Sequence, residues 1–225
     1  MAMECCKRPP GTVFIAMSGK KQVGKDTATT IMKTMLETAG LQVTTTAFAE
    51  PLKEMCINIL GLKRELVYGS NDDKNTPSSI LWDGFSMDIR LKYSNETDDD
   101  GRDWPRSGPM TVREVLQVMG TDVFRAIYDD VWANAPFNRD WSDYDVVIIT
   151  DCRFPNEKRV TETRGGAVVR LERNTGYVDN HPSETALDGA TFDPRFYYQN
   201  NGTLDELTAF ARSVLENLNL IKPNG

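Results

Sequence analysis

The sequence predicts an α/β domain built on a parallel sheet. Val13-Phe-Ile-Ala-Met17 is a short unbroken apolar run, the pattern of a strand covered on both faces. A helical pattern follows from about Lys25 to Ala39, and the Val/Thr-rich stretch Gln42 to Phe48 reads as a second strand. Strand, helix and strand within about 35 residues form a βαβ unit, which implies parallel pairing and a right-handed crossover. A second unbroken run, Val146-Val-Ile-Ile-Thr150, is the clearest buried strand in the chain and ends at Asp151.

The elements follow in order from local signals. The first helix carries Ala28, Ile31, Met32, Met35 and Leu36 at three- and four-residue spacings, and Gly40 suits its C-terminal stop. Pro51 opens a helix to about Leu60, ended by Gly61. From Gly69 to Pro109 the composition turns polar, with loop signals at Asn71-Asp-Asp-Lys74 and Asp98-Asp-Asp100, and this stretch is expected as an insertion. Within it Phe85, Met87, Ile89, Leu91 and Tyr93 alternate with polar residues, which predicts a half-buried strand, one arm of a hairpin. Thr111-Val-Arg-Glu114 is a capping box starting a helix through Met119. After Gly120 another helix is expected over about Asp122–Ala133, with Val123, Phe124, Ile127, Tyr128 and Val131 on its apolar side. Ala167–Leu171 and Phe196–Gln199 read as further strands, the latter turning at Asn200-Asn201-Gly202. Thr203-Leu-Asp-Glu206 caps a last helix with Leu204, Leu207, Ala211, Val214 and Leu218 on one stripe.

Composition narrows the function. The 225 residues are 40% hydrophobic and 26% charged, enough for a core without metal or disulfide staples. The net charge of −7 disfavours nonspecific nucleic-acid binding while allowing a local basic cleft for a small anion. No apolar stretch approaches the roughly 18 residues of a membrane span. Lys7 and Arg8 precede the Thr12–Met17 run, but that run is shorter than the roughly 7–15 residues of a signal peptide core, so a cytoplasmic protein is expected. Cys5, Cys6, Cys56 and Cys152 lack the spacing of a zinc site and read as reduced thiols. The single histidine, His181, argues against a hydrolase built on a histidine base.

The strongest motif is Gly19-Lys20-Lys21-Gln22-Val23-Gly24-Lys25-Asp26-Thr27, the Walker A pattern between a strand and a helix. Its glycines let successive N–H groups turn toward phosphate oxygens, the helix N-terminus adds its dipole, and Lys25 brings a point charge. The Ser/Thr usual after the lysine is replaced by Asp26, with Thr27 next. Asp26 is either a carboxylate toward Mg²⁺, directly or through water, or a complement to the helix dipole. Asp151, at a strand end, is a candidate catalytic acid that orients Mg²⁺ or accepts a proton from an attacking phosphate, with an ordinary helix cap as its alternative. Arg153 suits the charge on a transferring phosphoryl group. Glu157 is read as a partner of Arg153, a ligand contact or a surface carboxylate.

Other candidates lie in the middle of the chain. Lys53 either reaches an acceptor phosphate or is solvated. Arg113 and Gln117 share a helix face and are placed to line a pocket. Asp122, Arg125 and Asp129 form a polar face, either a binding face or an exposed ion-pair stripe. Trp132 either stacks on a base or belongs to the core.

Taken together, the sequence resembles the bacteriophage-type deoxynucleoside monophosphate kinases of the P-loop kinase superfamily. The resemblance rests on Ser18–Thr27, Phe48-Ala-Glu-Pro-Leu-Lys53, Met110–Gln117 with Gly120–Arg125, Trp132, Asp151-Cys-Arg-Phe-Pro-Asn-Glu157, His181-Pro-Ser-Glu184 and Asn201-Gly202. It implies a single three-layer P-loop kinase domain over 1–225, with about five parallel strands, helices on both faces, an inserted polar/β segment near 69–109 and a lid near 172–195. It also implies Mg²⁺-dependent transfer of the ATP γ-phosphate to a deoxynucleoside monophosphate. By the same resemblance Lys53, Arg113, Gln117, Arg125 and Arg153 hold the acceptor, while Arg173 and His181 lie in the lid over the donor. Small-molecule nucleotides are the implied partners, with neither nucleic acid nor membrane, for a monomer or homodimer in the cytoplasm, the host's if phage-encoded. The rivals are a dephospho-coenzyme A or phosphomevalonate kinase and, in another class, a nucleotide-dependent switch module.

Overall fold

The computed structural model describes residues 11–174 and 182–223. Its strands are β1 (Val13–Ser18), β2 (Val43–Thr46), β3 (Pro77–Leu81), β4 (Pro109–Thr111), β5 (Val146–Cys152), β6 (Ala167–Glu172) and β7 (Tyr197–Gln199). The chain divides into two compact units, Met1–Phe48 with Ala133–Gly225, and Ala49–Trp132.

The first unit holds a five-stranded sheet in the order β2-β5-β1-β6-β7, and every neighbouring pair is parallel. Parallel pairing gathers the carboxyl ends of β1, β5 and β6 at one end of the sheet, the side on which ligands of open α/β sheets bind. Side-chain alternation explains why the strands are apolar throughout. Ile15, Met17, Ile148, Val169 and Leu171 belong to one buried cluster, while Ala16, Val147, Ile149 and Val168 belong to another. The first cluster takes in Ala28, Met32 and Leu36 of the helix Lys25–Thr38, and Leu207, Ala211, Val214 and Leu215 of the helix Leu204–Asn217. Each fully buried side chain such as Met32 or Leu36 contributes about 1.5–3 kcal/mol. The second cluster includes Phe48, Cys152 and Leu187, with Phe14, Phe137 and Phe192 packed on it. The helix Pro155–Thr163 lies against β1 and β6. The sheet flanked by helices is the three-layer α/β fold expected. Both predicted capping boxes form, at Thr111/Glu114 and Thr203/Glu206.

The second unit has its own core of Cys56, Leu62, Val67, Trp82, Met110, Val112, Val115 and Val118. The helix Glu50–Asn58, with Pro51 in its first turn, supplies Cys56, and β3 pairs antiparallel with β4. The segment 69–109, expected as an insertion, lies inside this unit and gives it Trp82, which is fully buried.

Four readings of local structure are corrected. Residues 85–93 are no strand: Met87–Lys92 is an α-helix with Ser86 as its N-cap. The alternation concealed a second periodicity, since Phe85, Ile89 and Tyr93 recur every four residues and pack on the Trp82 core, whereas Met87 is exposed. Nor does Gly120 separate two helices. The helix Val112–Gln117 continues through it as a π-helix, Val118–Arg125, and Gly120 packs so close to Leu52 that a Cβ there would meet Cδ2 at 2.7 Å. The helical run breaks before Val131–Asn134, which leaves Ile127 and Tyr128 exposed and not on an apolar face. Leu204, expected on the buried stripe, is the first residue of its helix and is also exposed.

Candidate active site

The glycine-bordered loop runs from the end of β1 to the helix Lys25–Thr38. Gly19 (φ +145°) and Gly24 (φ +98°) both hold conformations that L side chains avoid. A Cβ on Gly19 would lie 2.4 Å from the Leu171 carbonyl oxygen, and one on Gly24 would lie 2.5 Å from Asn200 Nδ2. Gln22 also has positive φ, at 64°. The helix begins on Gly24 with no side-chain cap, as do the helices starting at Ala49 and Lys63, whereas the helices at Ser70, Ser86, Thr111 and Thr203 are capped by hydroxyl oxygens. Leading N–H groups without a side-chain acceptor, at the positive end of a helix dipole, suit a bound anion.

Lys25 Nζ donates to the carbonyl oxygens of Gly19 and Lys20, at 2.7 Å each. Its pKa is lowered to about 8, chiefly by burial and next by the Arg153 charge; Arg170 lowers it further, while Glu184 and Asp26 oppose. Lys20 pairs with Asp188 at 2.8 Å. The Lys21 N–H donates to Glu184 Oε2 at 2.9 Å, and the Val23 carbonyl accepts from Asn200 Nδ2 at 2.9 Å. Asp26 and Thr27 are exposed at the start of the helix.

At the end of β5, Asp151 Oδ1 accepts the Phe48 N–H at 2.5 Å. The N-cap residue of the following helix is Phe154. Buried Glu157 bonds the start of that helix, its Oε2 accepting the N–H groups of Arg153 (2.7 Å) and Phe154 (3.0 Å). Glu157 thus meets Arg153 through its backbone, and the Arg153 guanidinium goes to Glu184 Oε1 at 2.6 Å. On β6, Arg170 is buried: Nη1 donates to Ser18 Oγ (3.2 Å), Nε to Glu172 Oε1 (3.2 Å), and Asp188 Oδ1 lies 3.6 Å from Nη2. Burial opposes the charge on Glu172, but hydrogen bonds from Tyr197 and Arg170 outweigh it and lower the carboxyl pKa. Arg173 is exposed, and with Lys20, Val23, Arg170, Leu171, Glu172 and Asp188 it lines a pocket of about 300 Å³. His181 lies outside the described residues.

The remaining candidates belong to the 49–132 unit, where several already have structural work. Arg113 donates to Asn75 Oδ1 (3.0 Å) and Asn71 Oδ1 (3.1 Å). Asp122 accepts from Lys92 and, at 2.7 Å, from the Tyr93 hydroxyl. Trp132 is 7% exposed, donates Nε1–H to the Gly120 carbonyl (2.9 Å) and packs against Phe124, so its ring is core and not a free stacking platform. Lys53 sits over the Tyr68 ring, 4.7 Å from its centroid. Gln117 ends the helix Val112–Gln117, and Arg125 ends the π-helix.

Sequence reasoning assigned no role to Arg170, Glu184, Asp188 or Asn200. A signal existed for the first, since an arginine amid Ala167-Val-Val-Arg-Leu is anomalous in a buried strand. Asn200 carries only a turn signal in the sequence.

The parallel five-stranded sheet flanked by helices is a three-layer α/β fold consistent with that of P-loop kinases. Residues 103–210 match the family model described as deoxynucleotide monophosphate kinase. A protein of Acanthamoeba polyphaga mimivirus named "Putative deoxynucleotide monophosphate kinase" is 27% identical over 220 residues, covering 91% of this chain and 97% of that protein. The deoxynucleotide monophosphate kinase of Escherichia phage RB69 is 27% identical over 111 residues, 47% of this chain and 45% of its own. The chain is thus similar to viral proteins named deoxynucleotide monophosphate kinase, the resemblance its sequence carries, and the other readings are not favoured.

Proposed function

We propose that the protein is a phosphotransferase that moves the γ-phosphate of ATP to a deoxynucleoside 5′-monophosphate, yielding ADP and the deoxynucleoside diphosphate. The observation that carries this reading is the Gly24 helix start without a side-chain cap, with half-buried Lys25 at its first position and the Arg153 charge acting on that lysine.

An acceptor phosphate oxygen forms the new bond to the γ-phosphorus as the bond to the β,γ-bridging oxygen breaks and ADP leaves. The acceptor is already anionic near neutrality, so the reaction needs alignment and charge neutralisation more than a base. On this reading the Lys21–Thr27 backbone and Lys25 hold the donor phosphates, and Arg153 meets charge on the transferring group. Gly19, Lys20, Arg173 and His181 are proposed to complete the donor site. Lys53, Arg113, Gln117 and Arg125 are proposed for the acceptor, with Asp122 and Trp132 holding the scaffold beneath them.

Asp26 and Asp151 suit Mg²⁺ that arrives on the nucleotide. No group of three His, Cys, Asp or Glu side chains among the described residues forms a ready-made metal cage, and Mg²⁺ is usually held by one or two carboxylates plus phosphates and water. When bound, the ion neutralises charge on the β- and γ-phosphates. No helix among the described residues is long and apolar enough to cross a membrane. The proposed place of action is the cytoplasm, the host's if the chain is viral.

The test is an acceptor panel with ATP and Mg²⁺, covering nucleoside monophosphates of each base in deoxy and ribo forms. Formation of a deoxynucleoside diphosphate with one ADP per turnover is expected. ATP hydrolysis without a phosphorylated acceptor would overturn the reading in favour of a switch module.

A further inference from the structure

We propose that Glu184 is a positioning residue that pins Arg153 to the phosphate-binding loop. Its side chain is only 2% exposed, and its two oxygens serve different elements. Oε1 takes Arg153 Nη1 at 2.6 Å, and Oε2 takes the Lys21 backbone N–H at 2.9 Å. One carboxylate thereby ties the residue after the end of β5 to the loop after the end of β1. Burying a carboxylate is costly unless its oxygens are paired, and here the pairing is also the linkage.

The linkage matters because of what Arg153 is. An arginine is a long, rotamer-rich side chain, and leaving it to find its orientation in each turnover costs entropy. Arg153 is already fixed at its backbone, whose N–H is taken by Glu157. Glu184 fixes the far end against the loop that grips the donor. Arg170 and Asp188 serve other partners: Arg170 bonds Ser18 and Glu172, and Asp188 bonds Lys20 and lies beside Arg170.

This inference rests on the phosphoryl-transfer reading for its consequence but not for its geometry, and the test separates the two. A double-mutant cycle over Glu184→Ala and Arg153→Ala is read by kcat and by KM for ATP. Glu184→Ala is expected to lower kcat by on the order of 10²-fold, with KM for ATP moving less than about threefold. In the Arg153→Ala background the same change is expected to cost less than about threefold, because the pin has nothing left to hold. Glu184→Gln keeps one acceptor oxygen and is expected to recover part of the rate. Multiplying losses in the double variant, or losses that follow the melting temperature, would overturn the proposal. A readout independent of turnover is the solvent exchange of the Lys21 amide and the Arg153 guanidinium by NMR, both expected to accelerate in Glu184→Ala. Unchanged exchange at both would overturn the pin even if the kinase reading stood, and accelerated exchange would uphold it even if no acceptor were phosphorylated.

Discussion

In the sheet unit, polar side chains bond loop backbone at the carboxyl ends of the strands in addition to forming ion pairs such as Arg153–Glu184; in the 49–132 unit, ion pairs link the short elements. Around the loop, Lys25 bonds two carbonyls, Glu184 an amide, Asp151 an amide and Asn200 a carbonyl. In the other unit Arg106 meets Glu114 at 2.6 Å, Arg90 meets Asp83 at 3.2 Å, Arg64 meets Glu54 at 2.5 Å, and Lys92 meets Asp122. The first arrangement holds a loop with positive φ at Gly19, Gln22 and Gly24. The second ties short helices to a small core. A substitution near the loop should therefore act on chemistry more than on stability, and one in the 49–132 unit should do the reverse.

The sharpest break of that contrast is Lys25→Ala. It is expected to reduce phosphoryl transfer at least about 10³-fold while changing the melting temperature by only a few degrees. A coupled ADP assay and a thermal melt check it, and near-normal turnover would remove the loop from the mechanism. Trp82→Ala is the mirror case. Emptying a fully buried indole site should cost about 3–5 kcal/mol in urea unfolding, with the ATP affinity of the folded protein kept within about threefold. If affinity fell as steeply as stability, the two units would not divide the labour as described.

A weaker effect comes from Lys25 itself. With its pKa lowered to about 8, the free protein holds the ammonium below that pH and loses it above. Triphosphate binding favours the protonated lysine, so affinity should fall by about tenfold between pH 7 and pH 9, with a proton taken up on binding in that window. Isothermal titration in buffers of different ionisation enthalpy measures that uptake, and a flat profile across the range would contradict the lowered value. The smallest change is expected for Arg113→Ala, which gives up two neutral acceptors at Asn71 and Asn75. About 0.5–1.5 kcal/mol of stability should go, and KM for the acceptor should rise while KM for ATP does not. An unchanged acceptor KM would reduce Arg113 to scaffold.

Legibility followed the same division. The loop could be read because phosphate binding by backbone needs glycines at fixed spacing between a strand and a helix, and contiguous residues carry all of it. Capping boxes at Thr111 and Thr203 were legible for the same reason. The 85–93 segment was misread because Phe85, Ile89 and Tyr93 satisfy both a period of two and a period near four, and the choice fell to packing against Trp82. Trp132 was ambiguous until Gly120 supplied an acceptor for its N–H.

By itself, the sequence determined the parallel α/β class, the loop and its lysine, and the kinase family resemblance, since each is written in neighbouring residues and local periodicity. Tertiary structure alone decided that Glu184 meets Arg153 across 31 positions and that Asn200 meets Val23 across 177. Such contacts depend on the order in which strands pair, because pairing brings chain ends together that no local preference links.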